Sequence, residues 1–223
     1  MKKLLFYILP LLLTANAFAQ KDAEAKKILG PVSQKYRSYT AIKTDFIFTV
    51  DNKQANLKFT QNGTLITQPK SNKFKITLFN TGSTTQVTQE IISDGKTQWT
   101  YNKDEKEVQI SNNNHSGDSF NPAELFTIYE KGYKYLYTGD EKKAGKVYQM
   151  IDLTAENTKS NIFKIRLSID KVKKQIYSAT IFDKNGGQYT YTLKTFTPNP
   201  PLAANTFTYD AKAHPGVEVV DLR

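Results

Sequence analysis

Apolar and polar residues alternate one by one over most of this chain, and a period of two buries one face only as β-strand. Phe74, Ile76 and Leu78 alternate with Lys73, Lys75 and Thr77. Phe163, Ile165, Leu167 and Ile169 alternate with Lys164, Arg166, Ser168 and Asp170. Ile42, Thr44, Phe46, Phe48 and Val50 mark a first strand, and Leu57, Phe59 and Leu65 a second around Gly63. Shorter runs follow at 85–93, 97–101, 107–110 and 133–137. Asn185-Gly186-Gly187 and Asp94-Gly95 supply the positive φ angles that tight turns need. Short strands at such regular spacing predict an antiparallel meander, as a sandwich or a barrel.

Two segments depart from that period. Over 22–39, Ala25, Leu29, Val32 and Tyr36 recur at helical spacing with lysines opposite, which predicts an amphipathic helix. Gly30-Pro31 predicts a kink or an early stop inside it, because proline removes a hydrogen bond and crowds the preceding turn. Over 121–132, Asn121 as cap, Pro122 at the first position and Glu124 three residues after the cap predict a second helix. Leu125, Ile128 and Tyr129 form its apolar side, and Gly132 ends it. The Asn- and Ser-rich stretch before it predicts a mobile loop. No linker, repeat or charge block divides the chain, so one domain is expected.

The N-terminus carries Lys2 and Lys3, an apolar run over 4–13 broken by Pro10, and Ala17-Phe18-Ala19. This is the pattern of a cleaved secretory leader, with the cut expected after Ala19. The run is too short to span a bilayer, which takes roughly twenty residues. Residues 20–223 are then a free periplasmic protein. The chain has no cysteine, so neither a disulfide nor an N-terminal lipid thioether is available. Its formal net charge is +10. In that compartment nucleic acid is not a partner, and the basic balance points to anionic head groups or acidic protein surfaces.

Catalytic signatures are missing. The two histidines, His115 and His214, have no companion at metal-ligand spacing, and no nucleophile elbow, zinc motif or phosphate-binding glycine loop occurs. Asp45, Asp94, Glu107 and Asp152 are acid candidates only if distant strands bring them together. Neither an enzyme nor a metal or cofactor site is expected. Abundant instead are thirteen Phe, thirteen Tyr and one Trp, at alternate strand positions. They make either a sandwich core or one curved sheet wrapped around an apolar ligand with helices as cover. The pattern alone leaves both open.

Ser93-Asp94-Gly95-Lys96-Thr97-Gln98-Trp99-Thr100-Tyr101 resembles the Ser-Asp-Gly-Lys-Thr-x-Trp-x-Tyr segment of the periplasmic lipoprotein carrier family LolA. Similar in the same order are Ile42-x-x-x-Phe46, Gly63-x-Leu65, Pro69, Asn72-x-Phe74, Phe207-Thr208-Tyr209 and Pro215-Gly216-Val217-Glu218-Val219. The resemblance implies a mainly β protein with a few α-helices: a strongly curved antiparallel sheet forming a half-open β-barrel, with a helical lid over a hydrophobic cavity. It implies a monomeric chaperone that carries acylated lipoproteins from an inner-membrane ABC transporter towards an outer-membrane acceptor. By parity with the family, Phe74 lines the cavity with Ile76 and Leu78, joined by Phe46, Phe48, Leu57, Phe59 and Trp99. Leu125 and Ile128 form the underside of the lid. Where family members carry a lid-holding arginine, this chain has Gln68, which leaves a carrier of free lipid or glycolipid, or a periplasmic sensor or scaffold, as the other readings.

Overall fold

The computed structural model describes residues 12–113, 122–130 and 132–223, with the backbone alone for 12–21 and Pro122. Residues 1–11 of the expected leader, most of the expected Asn-rich loop with His115, and the cap Asn121 lie outside the described residues. A single α-helix, α1 (Leu12–Arg37), precedes the first meander: β1 (Ile42–Asn52), β2 (Leu57–Gln68), β3 (Lys73–Phe79), β4 (Val87–Asp94), β5 (Thr97–Asn102) and β6 (Glu107–Asn112). The second comprises β7 (Tyr133–Lys143), β8 (Lys146–Ala155), β9 (Ile162–Asp170), β10 (Gln175–Asp183) and β11 (Gly187–Leu193). The short β12 (Thr197–Pro198) and β13 (Glu218–Asp221) follow.

Both meanders belong to one sheet, ordered β13-β6-β5-β4-β3-β2-β1-β11-β10-β9-β8-β7, with β12 beside β1. All pairings are antiparallel except that of β13 with β6. The sheet is strongly curved and does not close, so β13 and β7 are its edges. Curvature lets one face serve as its own core: Phe46, Leu65, Phe74 and Ile76 from one half and Ile151, Ile165, Leu167 and Ile181 from the other are buried in one cluster. A sandwich, the other architecture compatible with the alternation, is thereby excluded.

Helix α1 lies over the concave face and packs mainly on β7. Ala25, Leu29, Val32 and Tyr36 are all buried, as their spacing predicts, and the Tyr36 hydroxyl accepts a hydrogen bond from the Ile176 amide at 2.8 Å. The stop expected at Gly30-Pro31 does not occur, since the helix continues to Arg37. Apolar residues on both sides of the proline enter the same core, and their burial outweighs a proline penalty of about 3 kcal/mol. Pro31 is solvent-exposed, so Pro31→Ala should restore a backbone hydrogen bond without touching the core. A rise in stability of about 1–3 kcal/mol is expected in urea denaturation; an unchanged midpoint would mean the helix is already relaxed around the proline.

The second expected helix is replaced by two single 3₁₀ turns, Pro122–Phe126 and Ile128–Glu130, carried by i→i+3 bonds such as Thr127 N–H to Glu124 O (2.8 Å). So short a segment cannot repay helix nucleation by its own hydrogen bonds. It is held by side chains instead, with Leu125, Phe126 and Tyr129 buried. Gly132, expected to end that helix, instead stands at φ +80° just before β7.

The convex face has a smaller core of its own. Ile92, Tyr101 and Val108 are buried there. His214 and Tyr209 lie on Tyr101 at ring distances of 4.5 and 6.0 Å. No helix among the described residues is long and apolar enough to cross a membrane.

Candidate functional site

Directly opposed residues of neighbouring strands project to the same face. Following the register from strand to strand therefore assigns each side. Phe74 opposes Thr67, Ile76 opposes Leu65 and Leu78 opposes Gly63. Gly63 in turn opposes Phe46, Gln61 opposes Phe48, Phe59 opposes Val50 and Leu57 opposes Asn52. The row continues from Phe48 to Tyr191 and from Val50 to Tyr189. Seven of the eight expected cavity residues, Phe46, Phe48, Leu57, Phe59, Phe74, Ile76 and Leu78, thus share the concave face.

Trp99 does not. It opposes Ile92 and Ile110, whereas the concave Phe74 opposes Ser93 and Ser93 opposes Gln98. An offset of one residue places Trp99 on the convex side, in the row of Tyr101 and Val108. The turn before it fixes that register. The Asp94 carboxylate accepts the Lys96 and Thr97 amides at 2.8 Å each, and the buried Ser93 hydroxyl accepts the Gly95 amide. Burial opposes ionisation of Asp94, but these two amides and the charges of Lys73 and Lys96 hold its carboxyl below the ordinary range. Gly95 has φ +95°, and a Cβ there would stand 2.5 Å from the Ser71 carbonyl oxygen. The Ser-Asp-Gly-Lys-Thr segment accordingly turns the chain and sets the register of β5.

The concave face has two zones. In the deep zone Phe46, Leu65, Phe74 and Ile76 are buried beneath α1 and the 122–130 turns. The free space between Phe74, Thr67 and the turn at Ala123–Thr127 is only about 20 Å³, room for about one water. In the outer zone, towards the β1–β2 turn, Phe48 stacks on Tyr191 at 4.7 Å and meets Phe59 edge-on at 6.0 Å. Here cover runs out: Phe59 is 38% and Leu57 48% exposed. Gly63 makes the packing between zones possible, because a Cβ at this position would fall 2.4 Å from the Phe46 ring. Burial raises the Tyr191 hydroxyl well above its ordinary range, and burial together with a hydrogen bond to Asp140 pushes Tyr137 up to about 12.

The lid is fastened differently from expectation. Leu125 is buried and Ile128 packs partly against the core, as their assignment to the underside requires. Gln68, however, lies in the convex row opposite Lys73, and its side-chain oxygen accepts from Ser71, a neighbour in the same turn. The polar fastening between lid and helix is Glu130, whose carboxylate accepts from the Ser33 hydroxyl at 2.8 Å and from Arg37 Nε at 2.9 Å. The partners are 97 and 93 residues apart, so no local pattern signals the pair. Phe126 adds an apolar hinge against Tyr36 at 4.9 Å. Glu130→Ala removes both bonds, about 1–2 kcal/mol for a partly exposed group. Uptake of a fluorescent fatty-acyl probe, followed by stopped flow, should then quicken about tenfold. An unaltered rate would show that opening does not break these contacts.

The four carboxylates considered for acid chemistry do not converge. Asp152 is paired with Arg166 at 2.6 Å, and Asp45 accepts from Thr64 and Thr195. Asp94 caps its turn, and Glu107 accepts from Gln109. Among the described residues no group of three His, Cys, Asp or Glu side chains is arranged to hold a metal.

An apolar face under a small lid, with one end left open, is a geometry for holding an apolar ligand. Sequence comparison agrees with the architecture. A protein of Legionella pneumophila described as an outer-membrane lipoprotein carrier protein is 23% identical over 216 residues, covering 97% of this chain and 98% of its own. An uncharacterised conserved protein of Thermus thermophilus shares the fold at TM-score 0.54, with 14% identity over 89% of this chain and 99% of its own. A putative outer membrane lipoprotein-sorting protein domain from Vibrio parahaemolyticus aligns at TM-score 0.49 and 11% identity, over 84% of this chain and 97% of its own. The family model for the outer membrane lipoprotein carrier protein LolA matches residues 37–210, from the end of α1 to the segment that covers the convex face, and the chain belongs to that family.

Proposed function

We propose that this protein is a periplasmic chaperone that holds the acyl chains of lipoproteins on its concave face and carries them from the inner to the outer membrane. The observation that carries this reading is the two-zone face: an aromatic outer zone open at Phe48, Phe59 and Leu57, continuous with a deep zone closed by a lid whose Glu130 carboxylate bonds α1. Each methylene withdrawn from water contributes about 0.8 kcal/mol, so such a face retains acyl chains without any chemistry. The protein accordingly acts as a binder and not as an enzyme, with no cofactor. Because so little free space separates Phe74 from the turn at Ala123–Thr127, loading requires the 122–130 turns to move off Phe74, and acyl chains of the cargo replace Leu125 and Phe126 there.

In this reading residues 1–19 are a leader removed on export and residues 20–223 the working monomer. An inner-membrane lipoprotein-releasing ABC transporter loads it, and an outer-membrane acceptor relieves it of cargo. The test is native mass spectrometry of the protein released gently from the periplasm. A species carrying the mass of a triacylated lipoprotein is the expected result. Adducts of free-lipid mass would transfer the function to lipid carriage on the same face. A cargo-free species alone, under conditions that preserve weak complexes, would refute the reading and favour a sensor or scaffold.

A further inference from the structure

At the end of the strands opposite Phe59, two hairpin tips stand side by side. The β7–β8 turn and the β9–β10 turn are tied by the Lys171 amide bonding to Val147 O at 3.0 Å, with Tyr148 opposed to Asp170. Together, 140–146 and 170–174 hold six lysines and three carboxylates. Two of these carboxylates are already engaged. Asp140 pairs with Lys171 at 2.8 Å, and Asp170 accepts the Val172 and Lys173 amides. At the tip, between lysines, sits Val172, 88% exposed and the most exposed large apolar residue among the described residues. Next to it opens a pocket of about 220 Å³ lined by Lys146, Lys173 and Lys194, by the Asp170 already bonded to its own turn, and by the paired rings of Tyr148 and Tyr177, 4.4 Å apart. Its floor is Ile176, Leu193 and Phe196.

A solvated lysine turn needs neither an apolar tip nor an aromatic wall. Amines around a cleft with an apolar floor suit a phosphate that carries hydrocarbon below it, and tyrosines favour the boundary where one end is wet and the other apolar. We propose that these paired tips are a docking site for an anionic phospholipid surface, with a head-group phosphate among Lys146, Lys173 and Lys194 and Val172 dipping into the interface. The occupant follows from charge complementarity: amines near an anionic leaflet each strengthen binding about fivefold, and the attraction extends about one Debye length. Docking by this end leaves the Phe48–Phe59 end facing away from the bilayer. The site is a tether that concentrates the protein at a membrane, independent of what the concave face carries.

The test is vesicle co-sedimentation of the protein recovered from the periplasm. It compares vesicles of equal parts phosphatidylcholine and phosphatidylglycerol with phosphatidylcholine alone. Binding to the anionic vesicles only is expected, and it should weaken as salt is raised. Lys146→Gln/Lys173→Gln/Lys174→Gln should lower partitioning about a hundredfold. Val172→Asp, at a position too exposed to disturb folding, should lower it about tenfold. Three exposed lysines in turns at the opposite end provide the control, and Lys53→Gln/Lys103→Gln/Lys106→Gln should stay within about twofold. Equal loss in this control would reduce the effect to net charge and overturn the site, as would equal binding to both vesicle types or full binding by the Lys146 triple variant.

Discussion

Phe74→Glu is expected to cost about 5 kcal/mol or more of folding stability, which is close to the whole margin of an ordinary domain. Phe74 is 2% exposed, enclosed by Thr67, Ile76 and the 122–130 turns. The substitution removes a ring whose loss alone costs about 3–5 kcal/mol and puts a carboxyl where no partner can reach it. Glutamate would escape the penalty only by staying protonated or by forcing the lid away. Urea denaturation is the measurement, and a midpoint within error of the parent would show that the lid does not rest on Phe74 in solution. A binding defect in this variant would accordingly say nothing by itself about cargo, because loss of the fold and loss of the cavity coincide.

Phe48→Glu separates the two. Phe48 belongs to the outer zone, half-buried among Phe59, Tyr189 and Tyr191, with a route to solvent for a charged group. The expected stability loss is about 1–2 kcal/mol, the value of a few aromatic contacts. The expected loss of acyl-probe affinity is about a hundredfold, since bound hydrocarbon would strip water from the carboxylate without offering it a partner. Fluorescence titration with a fatty-acyl probe, beside a thermal melt, reads both quantities. Undiminished affinity in a folded variant would confine binding to the deep zone and contradict an entry route past Phe48 and Phe59.

Together these variants ask whether the concave face works as a gradient, with an open end for capture and a closed end for retention. In the proposed carrier the lid has a defined role: its apolar side chains stand in for acyl chains when cargo is absent, so the deep zone of the empty protein is not exposed to water. Leu125 and Phe126 are then competitors of the ligand, and affinity is the difference between two similar packings. A moderate affinity follows naturally, as delivery requires.

Much of this was legible beforehand because alternation is a local property. The side of Phe74, Ile76 and Leu78 relative to Lys73 and Lys75 follows from the pleat alone, and the Asp94-Gly95 and Asn185-Gly186 turns follow from local backbone sterics. The α1 stripe of Ala25, Leu29, Val32 and Tyr36 was readable for the same reason. What failed were inferences needing a partner. Which side of β5 faces inward depends on where the Asp94 turn sets the register against β4, and Trp99 was misplaced by one residue. Pro31 was read as a kink or an early stop because its penalty is local; the stop does not occur, since the burial that overrules it is not local.

The sequence by itself determined the strand-rich class, the turns, the amphipathic helix and, through its ordered motifs, the family, since each rests on residues within a few positions of one another. Only the tertiary structure decided that the sheet curls around one core, that Gln68 faces away from the lid, and that Glu130 fastens it to Ser33 and Arg37. The curl and the Glu130 fastening depend on contacts between residues far apart in the chain, 97 and 93 positions for Glu130, whose geometry is set by packing and has no counterpart in local spacing, while the side of Gln68 follows from its register against Lys73.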